Sequence, residues 1–205
     1  PGCGVSDEGK MVMIMGTSVC HMVCGTEKRV IDGMCGVVKD GILPDLYAFE
    51  AGQTAVGDIY AWFINNCVPP AAHEEAKARG LDIHGYLTEE ASKLKVGESG
   101  LLCLDWWNGN RSILVDADLT GLMMGMTLTT TPAEMYRAVI ESTAFGTCKI
   151  IKQLEEGGCP IEELYGCGGL ASKNPLVMQI WADACGREIK VSASDQTVAL
   201  GSAMW

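Results

Sequence analysis

Two turns carry most of the chemistry that this sequence offers. The later one lies in Leu164–Asp183, LYGCGGLASKNPLVMQIWAD, where a short strand from Glu163 to Cys167 runs into Gly168 and Gly169. A helix follows, its first turn beginning near Asn174 and Pro175. Proline suits the first helical position, where its missing N–H would have no partner anyway, and asparagine is a natural N-cap. Strand, glycine turn and helix make a phosphate-binding arrangement. The free N–H groups of the turn point beyond the strand's end, and two residues without Cβ let a ligand approach the backbone.

The same residues fit a second pattern, because Gly166, Gly168 and Ala171 satisfy G-x-G-x-x-[GA], the dinucleotide fingerprint. That fingerprint belongs in the first strand-to-helix turn of its domain, with an acid about 20 positions on at the end of the next strand. Here it comes late, and the acid at that spacing, Glu188, opens the next strand, REIKV. The dinucleotide reading therefore ranks below the phosphate turn, and a plain glycine turn without a ligand stands between them.

The earlier turn is Gly16-Thr17-Ser18, after the apolar run Met11–Met15, which reads as a buried strand. Glycine permits the sharp reversal, and two hydroxyls with the adjacent N–H groups can donate to a terminal phosphate; an ordinary hairpin turn is the alternative. The G-x-S-x-G elbow of serine hydrolases is not met, since Cys20 takes its last place. Cys20, His21 and Cys24 offer metal-ligand types without a fourth partner at zinc spacing, so a structural role is preferred. Asp105, Arg111, Asp116 and Asp118 are charges able to act in catalysis, with structural or hinge roles placed first; His73 and His84 read as surface residues.

The elements that must position these turns follow the apolar pattern. Arg29–Val38 and Ile42–Glu50 read as two strands joined by a hairpin at Lys39-Asp40-Gly41, giving three successive antiparallel strands with Met11–Met15. Gly52–Cys67 reads as a helix, in which Gly57 is costly unless a ligand or a neighbouring backbone comes close. Helices are expected at Ala71–Arg79 and Thr88–Lys95, a strand at Leu101–Trp107, and the longest helix at Pro132–Gly157, capped by Thr131 with Glu134 at N3. A strand over Glu188–Val191 and a helix still in progress at the end of the chain complete the order. The result is an α/β domain whose mixed sheet is antiparallel at one edge and parallel beyond, with flanking helices.

Composition narrows the function. A chain of 205 residues with 48% hydrophobic content and 25 glycines suits one α/β domain with a substantial core. The net charge of -11, with no basic run, argues against a nucleic-acid or anionic-membrane surface. No stretch approaches the roughly 18 apolar residues of a membrane span, and no signal peptide is evident, so the cytoplasm is the expected location. Ten cysteines without a C-x-x-C pair read as reduced, mostly buried thiols.

Five segments, MIMGTSVCHM, YAFEAGQTAVGDIYAWF, LDWWNGNRSILVD, GLMMGMTLTTTPAEMYRAVIE and CGGLASKNPLVMQIWAD, resemble in order and spacing the second domain of the FGGY carbohydrate kinases. The match covers nearly the whole chain, and EAGQTAVGD with GTS-x-CHM favours the family's ribulose-phosphorylating branch over its xylulose, glycerol and gluconate branches. The resemblance implies the actin- and hexokinase-like fold of two ribonuclease-H-like domains, with ATP and Mg²⁺ held mainly on the second. It places Gly16, Thr17 and Ser18 against the β- and γ-phosphates, Gly57 near the ribose or α-phosphate, Gly168 and Gly169 along the nucleotide, and Lys173 and Asn174 on the adenine side. It turns Cys20 and His21 towards the sugar, a ketopentose with L-ribulose first. By the same resemblance residues 1–205 are most of the second domain, truncated at both ends. The general-base aspartate and the first domain are expected upstream of Pro1, and the chain alone is expected to be inactive. Homo-oligomerisation stays open.

Overall fold

The computed structural model describes residues 1–204. A six-stranded mixed sheet, in the order β3-β4-β2-β1-β7-β8, forms its centre. Strands β1 (Gly9–Met15), β2 (Val19–Gly25), β3 (Gly36–Lys39) and β4 (Tyr47–Gln53) pair antiparallel, whereas β7 (Ile161–Cys167) runs parallel to β1 and β8 (Ile189–Val191) parallel to β7. Side chains alternate across a strand, so β1 presents Met11, Met13 and Met15 to one face and Lys10, Val12 and Ile14 to the other.

The methionine face is the core. Against it pack α1 (Gly57–Cys67), α4 (Pro132–Glu156) and α6 (Pro175–Cys185), which bury Ile59, Phe63, Ile140, Ile150, Val177 and Trp181. Helices α2 (Pro70–Ala78) and α3 (Ile83–Ser92) and a two-stranded ribbon of β5 (Leu102–Leu104) and β6 (Leu122–Met124) lie between α1 and α4 in the chain. The opposite face of the sheet meets α7 (Thr197–Met204) and the first residues of the chain; Gly2 lies so close to the Thr197 carbonyl that a Cβ there would sit 1.9 Å from it. No helix among the described residues is long and apolar enough to cross a membrane.

Helix α4 starts where its capping signal places it. Thr131 accepts from the Glu134 N–H, and the Glu134 carboxylate accepts from the Thr131 N–H at 2.6 Å.

Three expectations need correction. The three successive antiparallel strands are four, because Val19–Gly25, to which the sequence pattern assigns no element, is a strand at the heart of the sheet between β1 and β4. Alternation puts Cys20 and Cys24 on one face and His21 on the other, which rules the three out as a common metal site. The strand expected over Arg29–Val38 shrinks to β3. Residues before it form a loop in which Gly33 has φ +80, Ile31 packs beneath Gly157, and the Asp32 carbonyl accepts from Gln153 Nε2 at 3.1 Å. The reversal into β4 takes residues 40–46, with Asp40 and Asp45 both at positive φ, a conformation that Asp tolerates better than most residues. All ten cysteines are free; Cys24, Cys159 and Cys167 are buried, and Cys3, Cys20, Cys67, Cys103, Cys148 and Cys185 only half-buried.

Candidate functional site

The hairpin turn at Gly16-Thr17-Ser18 is closed by the Gly16 N–H donating to the Ser18 carbonyl at 2.9 Å. It then caps the following helix. The Thr17 carbonyl accepts from the Val56 N–H at 2.7 Å and the Asp58 N–H at 3.2 Å, and the Gly16 carbonyl accepts from the Gly57 N–H at 3.1 Å. Donors at the first turn of α1 that would otherwise lack partners are thereby satisfied by backbone rather than by a side chain. Gly57 is required for this contact. A Cβ there would lie 2.6 Å from the Gly16 carbonyl oxygen, so the close approach is that of the turn itself.

The later turn stands beside it because β7 pairs parallel to β1, bringing Cys167 level with Ile14. Gly168 has φ +95, and a Cβ on it would meet the Met15 carbonyl at 2.5 Å, so this glycine serves the packing of one turn against the other. Gly169 differs. It is exposed and a Cβ there would meet nothing within 4 Å. The chain next forms a short helix, α5 (Gly169–Lys173), before Asn174 caps α6 by accepting from the Val177 N–H at 3.2 Å. The direct passage from glycine turn to the helix at Asn174 thus contains one extra turn of helix.

Between the two turns lies a cleft of about 550 Å³, a usual size for a small-molecule site. Gly16, Thr17, Gly57, Gly169, Lys173 and Asn174 line it, six of the eight residues expected at a nucleotide. Ser18 and Gly168 adjoin it without lining it. The remaining walls were not legible from motifs. They are Asp58 and Tyr60 of α1, Asp82, His84 and Thr88 at α3, and Tyr136 of α4, whose buried hydroxyl has no hydrogen-bond partner among the described residues. Asn174 Nδ2 donates to Thr88 Oγ1 at 3.3 Å and so ties α3 to α6 across the cleft. The helix expected at Thr88–Lys95 begins earlier, at Ile83, where Asp82 caps it by accepting from the Gly85 N–H.

The pair expected at the sugar is divided. Cys20 lines a separate groove of about 360 Å³ on the opposite face of the sheet, with Val12, Met22 and Glu50. His21 is fully buried on the helix side, and burial pushes its imidazole from 6.5 down to about 3, so the ring is neutral. Thr147 Oγ1 donates to Gln53 Oε1 at 2.8 Å, which leaves it to accept from His21 Nε2 at 3.1 Å; Nδ1 then has no hydrogen-bond partner among the described residues. Of the acids singled out in the ribbon region, only Asp105 is buried. Arg111 pairs with Glu50 at 2.6 Å, and Asp116 and Asp118 lie in an exposed turn. Among the described residues no three His, Cys, Asp or Glu side chains are grouped to hold a metal ion.

Solved structures with a similar fold include sugar kinases. A xyloylose kinase from Brucella ovis superposes with a TM-score of 0.81 over 98% of this chain and 39% of its own, at 20% identity. A Plasmodium falciparum glycerol kinase with ADP gives a TM-score of 0.76 over 98% of this chain and 38% of its own, at 23% identity. The fold is the actin- and hexokinase-like one of those enzymes.

Sequence comparison narrows the class. The pattern of the FGGY family of carbohydrate kinases, C-terminal domain, matches residues 11–205, and the chain belongs to that family. Curated relatives include the ribulokinases of Anoxybacillus flavithermus, 57% identical over all 205 residues, and of Mycolicibacterium smegmatis, 51% identical over 199. The chain spans 36% of the first of these and 35% of the second.

Two outcomes follow from this geometry. Gly57→Ala, which in an open helix would stabilise by about 1 kcal/mol, should instead destabilise by roughly 1–3 kcal/mol in urea unfolding, because the added methyl meets the Gly16 carbonyl. His21 titrates near 6.5 when unfolded and near 3 when folded, so its contribution is complete above pH 6.5 and is lost as pH falls towards 3. In the unfolding free energy, His21→Gln should remove up to about 1.4 kcal/mol per pH unit of slope between pH 6.5 and 5 relative to the wild type.

Proposed function

We propose that this chain is the nucleotide-holding domain of a kinase that transfers the γ-phosphoryl group of ATP to ribulose, L-ribulose first, giving ribulose 5-phosphate in arabinose breakdown. One observation carries the reading. Two glycine turns some 150 residues apart, each marked by its own residues as a phosphate turn, form adjacent walls of one cleft. The choice of sugar rests on the curated relatives, which are ribulokinases at 51–57% identity over almost the whole chain.

The cleft's residues suit ATP with its metal. The amides of Thr17, Ser18 and Gly169 are the backbone donors for phosphate oxygens, the Thr17 and Ser18 hydroxyls supplement them, and the open space above Gly169 admits the ligand. Lys173 and Asn174, which also line the cleft, would take the base. Asp58 and Asp82 also line the cleft, and two carboxylates would repel bare phosphates. Asp58 is the carboxylate that would hold Mg²⁺ together with the phosphates, and the ion would supply the neutralising charge there. Phosphoryl transfer depends on positioning and on neutralisation of charge, with a carboxylate orienting the attacking hydroxyl. The chain's share is the positioning of the donor.

A preceding domain would supply the facing wall, most sugar contacts and the general-base aspartate, so the 205-residue chain alone should not phosphorylate ribulose. Ten free thiols and the use of ATP both suit the cytoplasm. A non-catalytic nucleotide-binding module and a kinase for another pentulose are the competing assignments. The dinucleotide reading loses its support, because Gly166 is packed by Met178 and Ile189 and Gly168 by Met15, leaving only Gly169 facing open space.

The test is calorimetry of the chain with Mg·ATP, beside the Gly169→Asp variant. The wild type should bind weakly and the variant should lose that binding while unfolding at the same urea concentration, since its side chain enters the cleft without touching the fold. Equal binding by both proteins would put the nucleotide elsewhere, and phosphorylation of ribulose by the isolated chain would refute the need for a second domain.

A further inference from the structure

Beneath the cleft lies a buried polar chain that neither turn motif explains. Gln53, the last residue of β4, donates through Nε2 to Asp105 Oδ2 at 2.7 Å and to the Thr143 carbonyl at 2.8 Å, and accepts through Oε1 from Thr147 at 2.8 Å. These three bonds fix the amide's orientation, since the reverse would face oxygen against oxygen. Tyr60 of α1 reaches the same stretch of α4, its hydroxyl 2.6 Å from Thr143 Oγ1. Helix α4 makes room with Gly146, where a Cβ would lie 2.3 Å from Asp105 Oδ2 and 2.5 Å from Gln53 Nε2.

Asp105 is an expensive residue for this place. It is 9% exposed and no cation pairs with it among the described residues; burial raises its pKa, offset in part by the Gln53 hydrogen bond and by its own backbone N–H. An unpaired buried carboxylate is a poor stabilising device. Its position explains it better. Only Thr54, Ala55 and Val56 separate Gln53 from α1, and the N–H groups of Val56, Gly57 and Asp58 hold the Gly16-Thr17 turn.

We infer that Asp105, acting through Gln53, is a positioning residue for the nucleotide cleft: it anchors the end of β4 to α4 and so sets where α1 and the Gly16-Thr17 wall stand. The inference rests on the nucleotide reading for its purpose, but the anchoring can be observed without any nucleotide. Asp105 arrives from the segment after β5, which thus meets the side chain that ends β4, beside the Thr54 hydroxyl's bond to the Gly109 carbonyl and the Gly52 N–H's bond to Ser112 Oγ.

The experiment is amide hydrogen exchange at Val56, Gly57 and Asp58 in the intact protein, with the KM for ATP measured on the same samples. Asp105→Leu should speed exchange at these three amides roughly tenfold, as loss of one such hydrogen bond implies, and raise the KM for ATP by a similar factor with a smaller change in kcat. Asp105→Asn retains an oxygen for Gln53 and should restore both to within about twofold of the wild type. Gly146→Ala keeps every polar group but displaces the carboxylate, and it should reproduce the leucine variant's exchange even if that variant fails to fold. Wild-type exchange at the three amides in Gly146→Ala, or an asparagine variant as impaired as the leucine one, overturns the inference. Absence of ATP affinity in the wild type would instead refute the nucleotide reading, and the exchange rates would still decide the anchoring.

Discussion

The structure depends on how a hairpin turn ends a helix. Three N–H groups at the start of α1 are spent on the carbonyls of Gly16 and Thr17, and this makes the β1–β2 turn and α1 one rigid piece. The contact requires a residue without Cβ at position 57, and it fixes which donors remain for a ligand. The start of α1 is occupied, so the free donors are those of the turn and of Gly169. Helix-start anion binding, a common way to hold phosphate, is thus closed to α1 by the turn that lies against it. The parallel pairing of β7 with β1 then sets the second turn beside the first, and the cleft results from two backbone contacts.

Glycines that look alike in the sequence do different work here. Gly57 and Gly168 each admit a neighbouring carbonyl, whereas Gly169 faces open space. Gly146 makes room inside the core for a carboxylate and an amide. Two faces of the sheet divide the chemistry in the same way. His21 is turned into the core and held neutral, while Cys20, its neighbour, opens on the opposite groove with Glu50.

How much of this was legible follows from what each signal measures. The β7 strand, its glycines, the Asn174-Pro175 start of α6 and the capping box of α4 were readable because each is local, set by dihedral freedom or by an N-cap within four residues. Strand β2 was hidden because Cys20, His21 and Cys24 read as ligand types, and a buried histidine between Val19 and Val23 masks the apolar alternation. Arg29–Val38 looked like a strand from Val30, Ile31, Val37 and Val38, yet Ile31 is spent beneath Gly157 and Gly33 bends the chain. Family resemblance named six of the residues that line the cleft, but it did not show Asp82, Thr88 and Tyr136 arriving from α3 and α4, since only folding brings those segments to the turns. Gln53 stood inside one of the resembling segments without a role, because that role lies in three partners distant in sequence.

The central claim is that a nucleotide meets the turn donors while the start of α1 stays tied to the turn. Amide chemical shifts of the labelled chain, recorded with and without a non-hydrolysable Mg·ATP analogue, test it most directly. The account predicts large shifts at Thr17, Ser18 and Gly169, with exchange at Val56, Gly57 and Asp58 remaining slow in both states. No shift at the turn amides, or shifts gathered instead around Cys20, Met22 and Cys24 on the opposite groove, would contradict it.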